Sequence, residues 1–406
     1  YILAIGAQAS PSGSGWGAGT WGRNTWGSAV DLTTLPGGGL IAQWSLEPYG
    51  EDIIIAPRFE SIYYWDATTP TTRAVDISTL SGAANTPTQN IRVIMSPKAR
   101  HAIAFGTNAI GASTMDRMLI RWSDDENLAL WTIGTTTRAG QRRLTRGSTI
   151  VTAVPTRESI LIWTDTSLYV MSWIGGEFVF SLDLLAERAQ IAGFNAAIAL
   201  HDSVYWMGYS GFTVYRGDVR NLPCSVQDYV LRNVDWNYAD KISAGTNEAF
   251  HEVIWFYVSV DSTDTEPDSY VIYNEQDDIW YYGTLSRTVW RDSAFSTNPM
   301  AAGVDGYLYY HENGADDGST NPASAITAYV ESAPFEIGNG DKYALVSRII
   351  HDVTFRGAAT VGGVAQKVNI ILKSSRAPGD TVNETNTSTT ERTAITPVER
   401  YTRQSN

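Results

Sequence analysis

Six times along this chain an apolar run of four or five residues is followed, after a polar turn, by a second run rich in aromatics. The first three pairs are Asp52-Ile53-Ile54-Ile55 with Ile62-Tyr63-Tyr64-Trp65, Ala102-Ile103-Ala104-Phe105 with Met118-Leu119-Ile120-Arg121-Trp122, and Ile160-Leu161-Ile162-Trp163 with Leu168-Tyr169-Val170-Met171. The others are Val204-Tyr205-Trp206-Met207 with Phe212-Thr213-Val214-Tyr215, Val253-Ile254-Trp255-Phe256 with Tyr270-Val271-Ile272-Tyr273, and the weaker Met300-Ala301-Ala302 with Tyr307-Leu308-Tyr309-Tyr310. With Ile53, Ala102, Ile160, Val204, Val253 and Ala301 as markers, the steps are 49, 58, 44, 49 and 48 residues. A repeat of this length with two or more short strands per unit predicts an all-β chain built around a β-propeller of about six blades.

Burial on both faces explains the pattern. A blade sandwiched between neighbours loses the apolar/polar alternation of a half-solvated sheet, so near-continuous apolar strands fit it. Asp165-Thr166-Ser167, Tyr209-Ser210-Gly211 and Asp305-Gly306 supply the turns between paired runs. Fourteen Trp and 21 Tyr provide large rings with a polar tip, suited to packing one blade on the next. A β-sandwich is the competing architecture, but its strands recur at about 8–12 residues.

At 406 residues the chain exceeds one ordinary core, and three regions are expected. They are an N-terminal strand and Gly/Trp-rich arm (1–40), the propeller (41–315), and a small β-domain with a polar tail (316–406). The net charge of −14 is concentrated in the propeller region, which holds 19 Lys and Arg against 32 Asp and Glu; the C-terminal region holds 9 against 10. Such a surface does not grip nucleic acid, which needs cations to displace condensed counterions. Arginine outnumbers lysine 24 to 5, a bias that suits interface pairing and that codon usage also produces. One cysteine, Cys224, excludes an intrachain disulfide and a cysteine-based zinc site. No run reaches the ~18 apolar residues of a membrane span, and no basic-then-apolar leader is present, so a soluble chain is expected. Beginning at Tyr1, it reads as a processed protein or as part of a longer one.

The arm opens with Tyr1-Ile2-Leu3-Ala4-Ile5, a short strand, and continues with Trp-Gly pairs at Trp16, Trp21 and Trp26. A spacing of five matches neither helix nor strand, so these indoles need a surface to cover them, on a neighbouring subunit or on the chain's own propeller. Gly314 to Ser324 marks the boundary of the C-terminal region, where strands are expected around Ile326–Val330, Ala344–Phe355 and Val368–Leu372. Thr381 to Asn406 reads as a polar run. Two helices are predicted, over Leu182–Gln190 and over Val226–Val234, the second capped by Ser225.

Few motifs carry chemistry. Gly17-Ala18-Gly19-Thr20-Trp21-Gly22 spells a dinucleotide fingerprint without the strand and helix that give it meaning. Gly208-Tyr209-Ser210-Gly211 sits in a predicted hairpin and reads as a turn. The five histidines, 101, 201, 251, 311 and 351, lack helical zinc spacing and are assigned to strand ends or the surface. Asp261, Asp264, Glu266 and Asp268 lack the alternate ligands and central glycine of a calcium loop, which leaves a solvated hairpin turn. Ser123-Asp124-Asp125-Glu126-Asn127, ending at Trp131, resembles the Asp-box of sialidase-type propellers, with Asn127 in place of glycine and the tryptophan one residue late. No carboxylate pair is singled out for glycosidase work. No cofactor, metal or catalytic residue is assigned. Arg138, Arg142, Arg143 and Arg146 form the only basic cluster of the propeller; they and Trp16, Trp21 and Trp26 are the candidate subunit-interface residues, with a solvated loop as the alternative for the arginines.

Several segments, in order, resemble the tail nozzle (tail hub, or packaged-DNA stabilisation) proteins of short-tailed bacteriophages. They are Trp44-Ser45-Leu46 with Gly50-Glu51-Asp52, Ile120-Arg121-Trp122-Ser123-Asp124 with Glu126-Asn127, Ile160-Leu161-Ile162-Trp163-Thr164-Asp165, Leu222-Pro223-Cys224, Ala244-Gly245-Thr246-Asn247-Glu248, and Trp280-Tyr281-Tyr282-Gly283-Thr284. Glu336-Ile337-Gly338-Asn339-Gly340-Asp341 is similar too. Family members run longer at both ends. The resemblance implies a non-enzymatic virion protein: a homohexameric tube below the head–tail adaptor that carries tail fibres or spikes, retains packaged DNA, conducts the duplex without sequence-specific binding, and meets the host envelope. A carbohydrate-active or carbohydrate-binding propeller, a sialidase-like glycosidase or a lectin, is the alternative expectation.

Overall fold

A computed structural model describes residues 43–314, apart from 97, 99, 177, 264 and 294–296, together with 329–332, 367–374 and 383–393. The chain divides into two compact units, Tyr1–Gly314 and Ala315–Asn406. The first contains six antiparallel sheets arranged as the blades of a β-propeller. Blade 1 is Trp44–Tyr49, Asp52–Pro57, Tyr63–Trp65 and Val75–Asp76; blade 2 is Arg92–Met95, Ala102–Asn108, Met115–Trp122 and Gly140–Arg143; blade 3 is Ile150–Pro155, Ser159–Thr164, Ser167–Trp173 and Phe180–Glu187. Blade 4 is Ala197–Leu200, Ser203–Gly208, Gly211–Tyr215 and Val219–Leu222; blade 5 is Ser243–Asn247, Glu252–Tyr257, Ser269–Asn274 and Ile279–Thr284. Blade 6 has three strands among the described residues, Arg287–Arg291, Met300–Gly303 and Leu308–Tyr310.

The apolar/aromatic pairs are the second and third strands of each blade, and burial is deepest in the second strands of blades 2 to 5. Inner and outer strands escaped the pattern because they are short or polar, as in Gly140–Arg143 and Val219–Leu222. First strands of successive blades pack beside one another from blade 1 round to blade 6. Ser45 Oγ accepts from Val93 N (3.1 Å), and Ser243 Oγ donates to Thr288 O (3.3 Å), so polar contacts join the inner strands as well.

Aromatic plates fill the space between blades. Trp163 of blade 3 meets Trp206 of blade 4 edge-on at 5.3 Å, and Phe212 of blade 4 lies 5.0 Å from Trp255 of blade 5. Trp290 of blade 6 stacks toward Phe256 of blade 5 at 6.0 Å and donates to Thr246 O (2.8 Å). Gly245 makes room for it, since a Cβ there would meet the Trp290 side chain at 2.6 Å.

Three expectations are corrected. The Leu182–Gln190 helix is instead the outer strand Phe180–Glu187, whose residues pair with blade 3 at Met171↔Leu182 and Tyr169↔Leu184. A nine-residue helix is marginal alone, and the open edge of a formed sheet offers its backbone better partners. The second helix forms over Gln227–Asn233, but its N-cap is Val226, with no side-chain cap bond, and not Ser225. In the second unit the strand predicted around Val368–Leu372 forms as Lys367–Ser374, and its partner is Asn383–Thr393, within the run read as a polar tail. Threonine's β-branched stem suits a strand despite its hydroxyl. Tyr329 and Val330 are exposed and outside any strand; residues 326–328 and 344–355, and the arm 1–40, lie outside the described residues.

The indole N–H groups of Trp163 and Trp206 have no hydrogen-bond partner, whereas Trp255 Nε1 donates to Ala196 O (3.1 Å). Trp255→Phe is therefore expected to cost about 1 kcal/mol more than Trp206→Phe, because only the former orphans a buried carbonyl. Urea unfolding of the two variants measures the difference, and the opposite order would refute the assignment.

Candidate functional site

The axis of the ring is where ligands and passages are sought in such a fold, and one end of it is filled. Gln43, Asn90, Phe194 and Asp240 each precede the first strand of a blade, so they share that end. Arg58 returns to it from the second strand of blade 1, donating from Nη1 to Gln43 Oε1 (2.6 Å), while Gln43 Nε2 donates to Asp240 O (2.8 Å). The Phe194 ring carries two guanidinium groups, Arg92 at 4.9 Å and Arg58 at 5.5 Å from its centroid. Arg58 also lies over Phe59 (4.9 Å), as does Arg117 (5.6 Å). Residues from blades 1 and 2 and from the segments entering blades 4 and 5 meet only at the axis, so the stack closes it at this end. Phe194 is buried, and Arg58 Nε, Arg92 Nε and Asn90 Oδ1 are buried without hydrogen-bond partners.

The electrostatics follow from desolvation. Burial brings the Arg92 guanidinium down to about 10, partly offset by Glu47, and burial also lowers Arg58. Glu47 is raised by burial, against the pull of Arg92. Arg92 stays charged at neutral pH, held by Phe194 and by Thr152 Oγ1 (2.8 Å) on blade 3. Desolvated cation–π contacts contribute up to ~2 kcal/mol each. No sequence signal marked this cluster, because its members are isolated residues on different blades. Phe194→Ala is expected to cost about 3–5 kcal/mol in urea unfolding through the lost packing alone. Phe194→Leu keeps apolar bulk but removes the π face, so a loss of about 1–2 kcal/mol is expected; equal stability of the Leu variant and the parent would refute the stack.

The opposite end carries the turns that follow first and third strands. There His201 of blade 4 lies between two carboxylates of blade 5, Glu275 (Nδ1 to Oε2, 3.4 Å) and Glu248 (Nε2 to Oε1, 3.8 Å), and stacks on His251 at 5.7 Å. Arg216 Nη2 joins Glu275 (3.0 Å) and the Tyr205 hydroxyl. The network ties blade 4 to blade 5. Among the described residues no group of three or more His, Cys, Asp and Glu is arranged to hold a metal ion. Four histidines sit at strand ends: His101, His201 and His251 before second strands, His311 after the last strand of blade 6. His351 lies outside the described residues. His101 is buried and donates from Nδ1 to Ser123 O (2.8 Å); burial lowers its pKa, and His311 falls to about 4 through burial and the adjacent Arg287.

Glu252, at the start of the second strand of blade 5, is the most perturbed carboxyl of this end. Burial pushes it up to about 7, with the charge of Glu312 adding and a hydrogen bond from Asn247 Nδ2 (3.5 Å) opposing. Its folded-state value lies above the ordinary 4.5, so the stability it contributes is complete below pH 4.5 and lost as pH rises through 7. Relative to the parent, Glu252→Gln should gain on the order of 1–3 kcal/mol at pH 8 and almost nothing at pH 4.5. Urea titrations at both pH values check the sign.

The interface candidates fare differently. Trp16, Trp21 and Trp26 lie outside the described residues, as does the Gly17–Gly22 motif. The arginines are strung along the outer edge of blade 2 and the loop after it. Arg138 faces Asp125 (3.5 Å), Arg143 Asp116 (2.7 Å) and Arg146 Glu187 (3.6 Å), all exposed pairs worth about 0–1 kcal/mol each. Arg142 is exposed on the edge strand. The Asp-box-like segment is a turn: Asp124 Oδ1 accepts from Arg138 N (2.7 Å), and the indole of buried Trp131 donates to Leu128 O (2.8 Å). Gly208 pairs with Gly211 across a hairpin turn. Of the acidic stretch, Glu266 is buried against Lys241 (2.7 Å) and Asp268 accepts from Ser259 N (2.9 Å), while Asp264 lies outside the described residues. The Cys224 thiol is pushed up to about 11 by burial, which keeps it protonated and unreactive at neutral pH.

No protein-family model and no curated protein matches the chain. Solved structures similar to it include the extracellular domain of a putative one component system from B. thetaiotaomicron, at 12% identity and TM-score 0.41, covering 71% of this chain and 33% of that one. Hsv2 from Kluyvelomyces marxianus is 6% identical at TM-score 0.37, covering 64% and 72%; YCF48 from Cyanidioschyzon merolae is 10% identical at TM-score 0.37, covering 66% and 81%. The chain spans about a third of the length of the first of these. At such scores the likenesses say nothing of function. No helix among the described residues is long and apolar enough to cross a membrane.

Proposed function

We propose that the chain is a non-enzymatic structural subunit of a bacteriophage short tail. In this reading six copies form the nozzle below the head–tail adaptor, retain packaged DNA, conduct it into the host and offer docking for fibres or spikes. The observation that carries the proposal is the ordered series of nozzle-like segments. They fall on structural strands: Trp44-Ser45-Leu46 on the inner strand of blade 1, Ile160–Thr164 on blade 3, Ala244–Asn247 on the inner strand of blade 5, Trp280–Thr284 on its outer strand. The acidic excess supports it, because a basic wall would hold a duplex carrying one charge per ~1.7 Å. The stack on Phe194 shapes it: DNA then passes between subunits and not along a propeller axis, with carboxylates of the propeller or the C-terminal unit lining the lumen.

A particle near six times 44.5 kDa is expected when the protein is sized alone or with its adaptor. A monomer under both conditions would remove the reading. A carbohydrate-active propeller is the second reading, favoured by Glu252, whose raised carboxyl resembles the protonated acid of a glycosidase. Turnover of a surface polysaccharide that is lost in Glu252→Gln would establish it in place of the first.

A further inference from the structure

In a chain with 43 Asp and Glu against 29 Lys and Arg, a guanidinium group finds a carboxylate easily. Arg138, Arg143, Arg146, Arg216 and Arg220 each face one. Arg58, Arg92 and Arg117 do not: among the described residues none of these three makes an ion pair. Asp240 acts on Arg58, and Glu47 on Arg92, only through space. Two of the three are also held near each other. The guanidinium groups of Arg58 and Arg117 lie over the same Phe59 ring, at 4.9 and 5.6 Å from its centroid. Burial lowers the pKa of Arg58, and the like charge of Arg117 lowers it further. The ring that gathers them is presented by a left-handed turn, with Phe59 at φ 69° and its N–H on Asn90 O (2.6 Å). Repulsion opposes such a pair, and an anion beside both would favour it.

Hydrogen bonding points the same way. Arg58 spends Nη1 on Gln43 and Arg92 spends Nη1 on Thr152, which leaves the Nε–Nη2 edge of each fork without an acceptor among the described residues. That edge takes two oxygens of an oxyanion side by side. Its Nε end is buried in both residues and its Nη2 end is not, so a ligand meets Nη2 first. Arg117 is exposed and makes no hydrogen bond among the described residues, so all its donors are available. We propose that Arg58 and Arg117 form a binding site for an oxyanion of the phosphate class, with Phe59 as its floor and Arg92, beside Phe194, adding positive potential. A tetrahedral dianion suits the pair better than a carboxylate does, because its oxygens can accept from both guanidinium groups at once, whereas the two oxygens of a carboxylate fill one fork. The site does not depend on the tail reading.

Calorimetric titration of the full-length protein with inorganic phosphate, at neutral pH and low salt, tests the proposal. One saturable site per chain is expected, and phosphate should raise the urea midpoint of the parent. Arg117→Gln, which removes a charge, and Arg58→Lys, which exchanges the fork for a point charge, should each weaken binding about tenfold. Arg232→Gln makes the same charge change at an exposed position on the helix Gln227–Asn233 and should bind as the parent does. Because Arg117 is exposed, its variant keeps the test intact even where Arg58→Lys fails to fold. Absence of saturable binding at millimolar phosphate would overturn the proposal, as would an equal loss in all three variants, which marks diffuse attraction. Acetate bound as tightly as phosphate would overturn the ligand class. Binding of a duplex oligonucleotide without binding of phosphate would overturn the site in favour of a polymer partner.

Discussion

Burial of blade faces against their neighbours is the constraint on which the rest of this structure depends. A sheet sandwiched between two others must present apolar surface on alternate residues in both directions, and it must do so with side chains thick enough to span the gap. Trp163 against Trp206, Phe212 against Trp255, and Trp290 against Phe256 are the plates that meet the requirement. Large flat rings bury much area for few rotatable bonds, so they combine high transfer energy with a low entropic cost of ordering. Neighbouring backbones then have to yield, as at Gly245, where the Trp290 side chain occupies the space of a Cβ.

The two ends of the ring solve different problems. At the end where chains enter the inner strands, the partly buried guanidinium groups of Arg58 and Arg92 lie on Phe194, and those of Arg58 and exposed Arg117 on Phe59. At the other end, solvated His, Glu and Arg side chains link blades 4 and 5 through short polar contacts.

Much of the fold was readable in advance, and the misses have physical causes. Pairs such as Val204–Met207 with Phe212–Tyr215 announced themselves because second and third strands are buried on both sides. Phe180–Glu187 did not, since an exposed outer strand has a composition that a helix tolerates equally, and only the free edge of Ser167–Trp173 selects between them. Asn383–Thr393 likewise depends on Lys367–Ser374 for its identity as a strand. The site was less readable. Arg138, Arg143 and Arg146 looked like a cluster because they are close in sequence, yet each is spent on a separate carboxylate. Arg58, Arg92, Arg117 and Phe194, which do gather, are scattered over some 140 residues.

The sequence alone determined the local architecture: where second and third strands begin and end, how many times the unit recurs, and where turns interrupt it. Those features depend on contacts between residues a few positions apart, which pattern and composition encode directly. Tertiary structure decided the stack of arginines on Phe194, the polar seal between blades 4 and 5 and the raised Glu252 carboxyl. Each of these arises from desolvation or contact among residues that only the closing of the ring brings together, and no linear pattern records it.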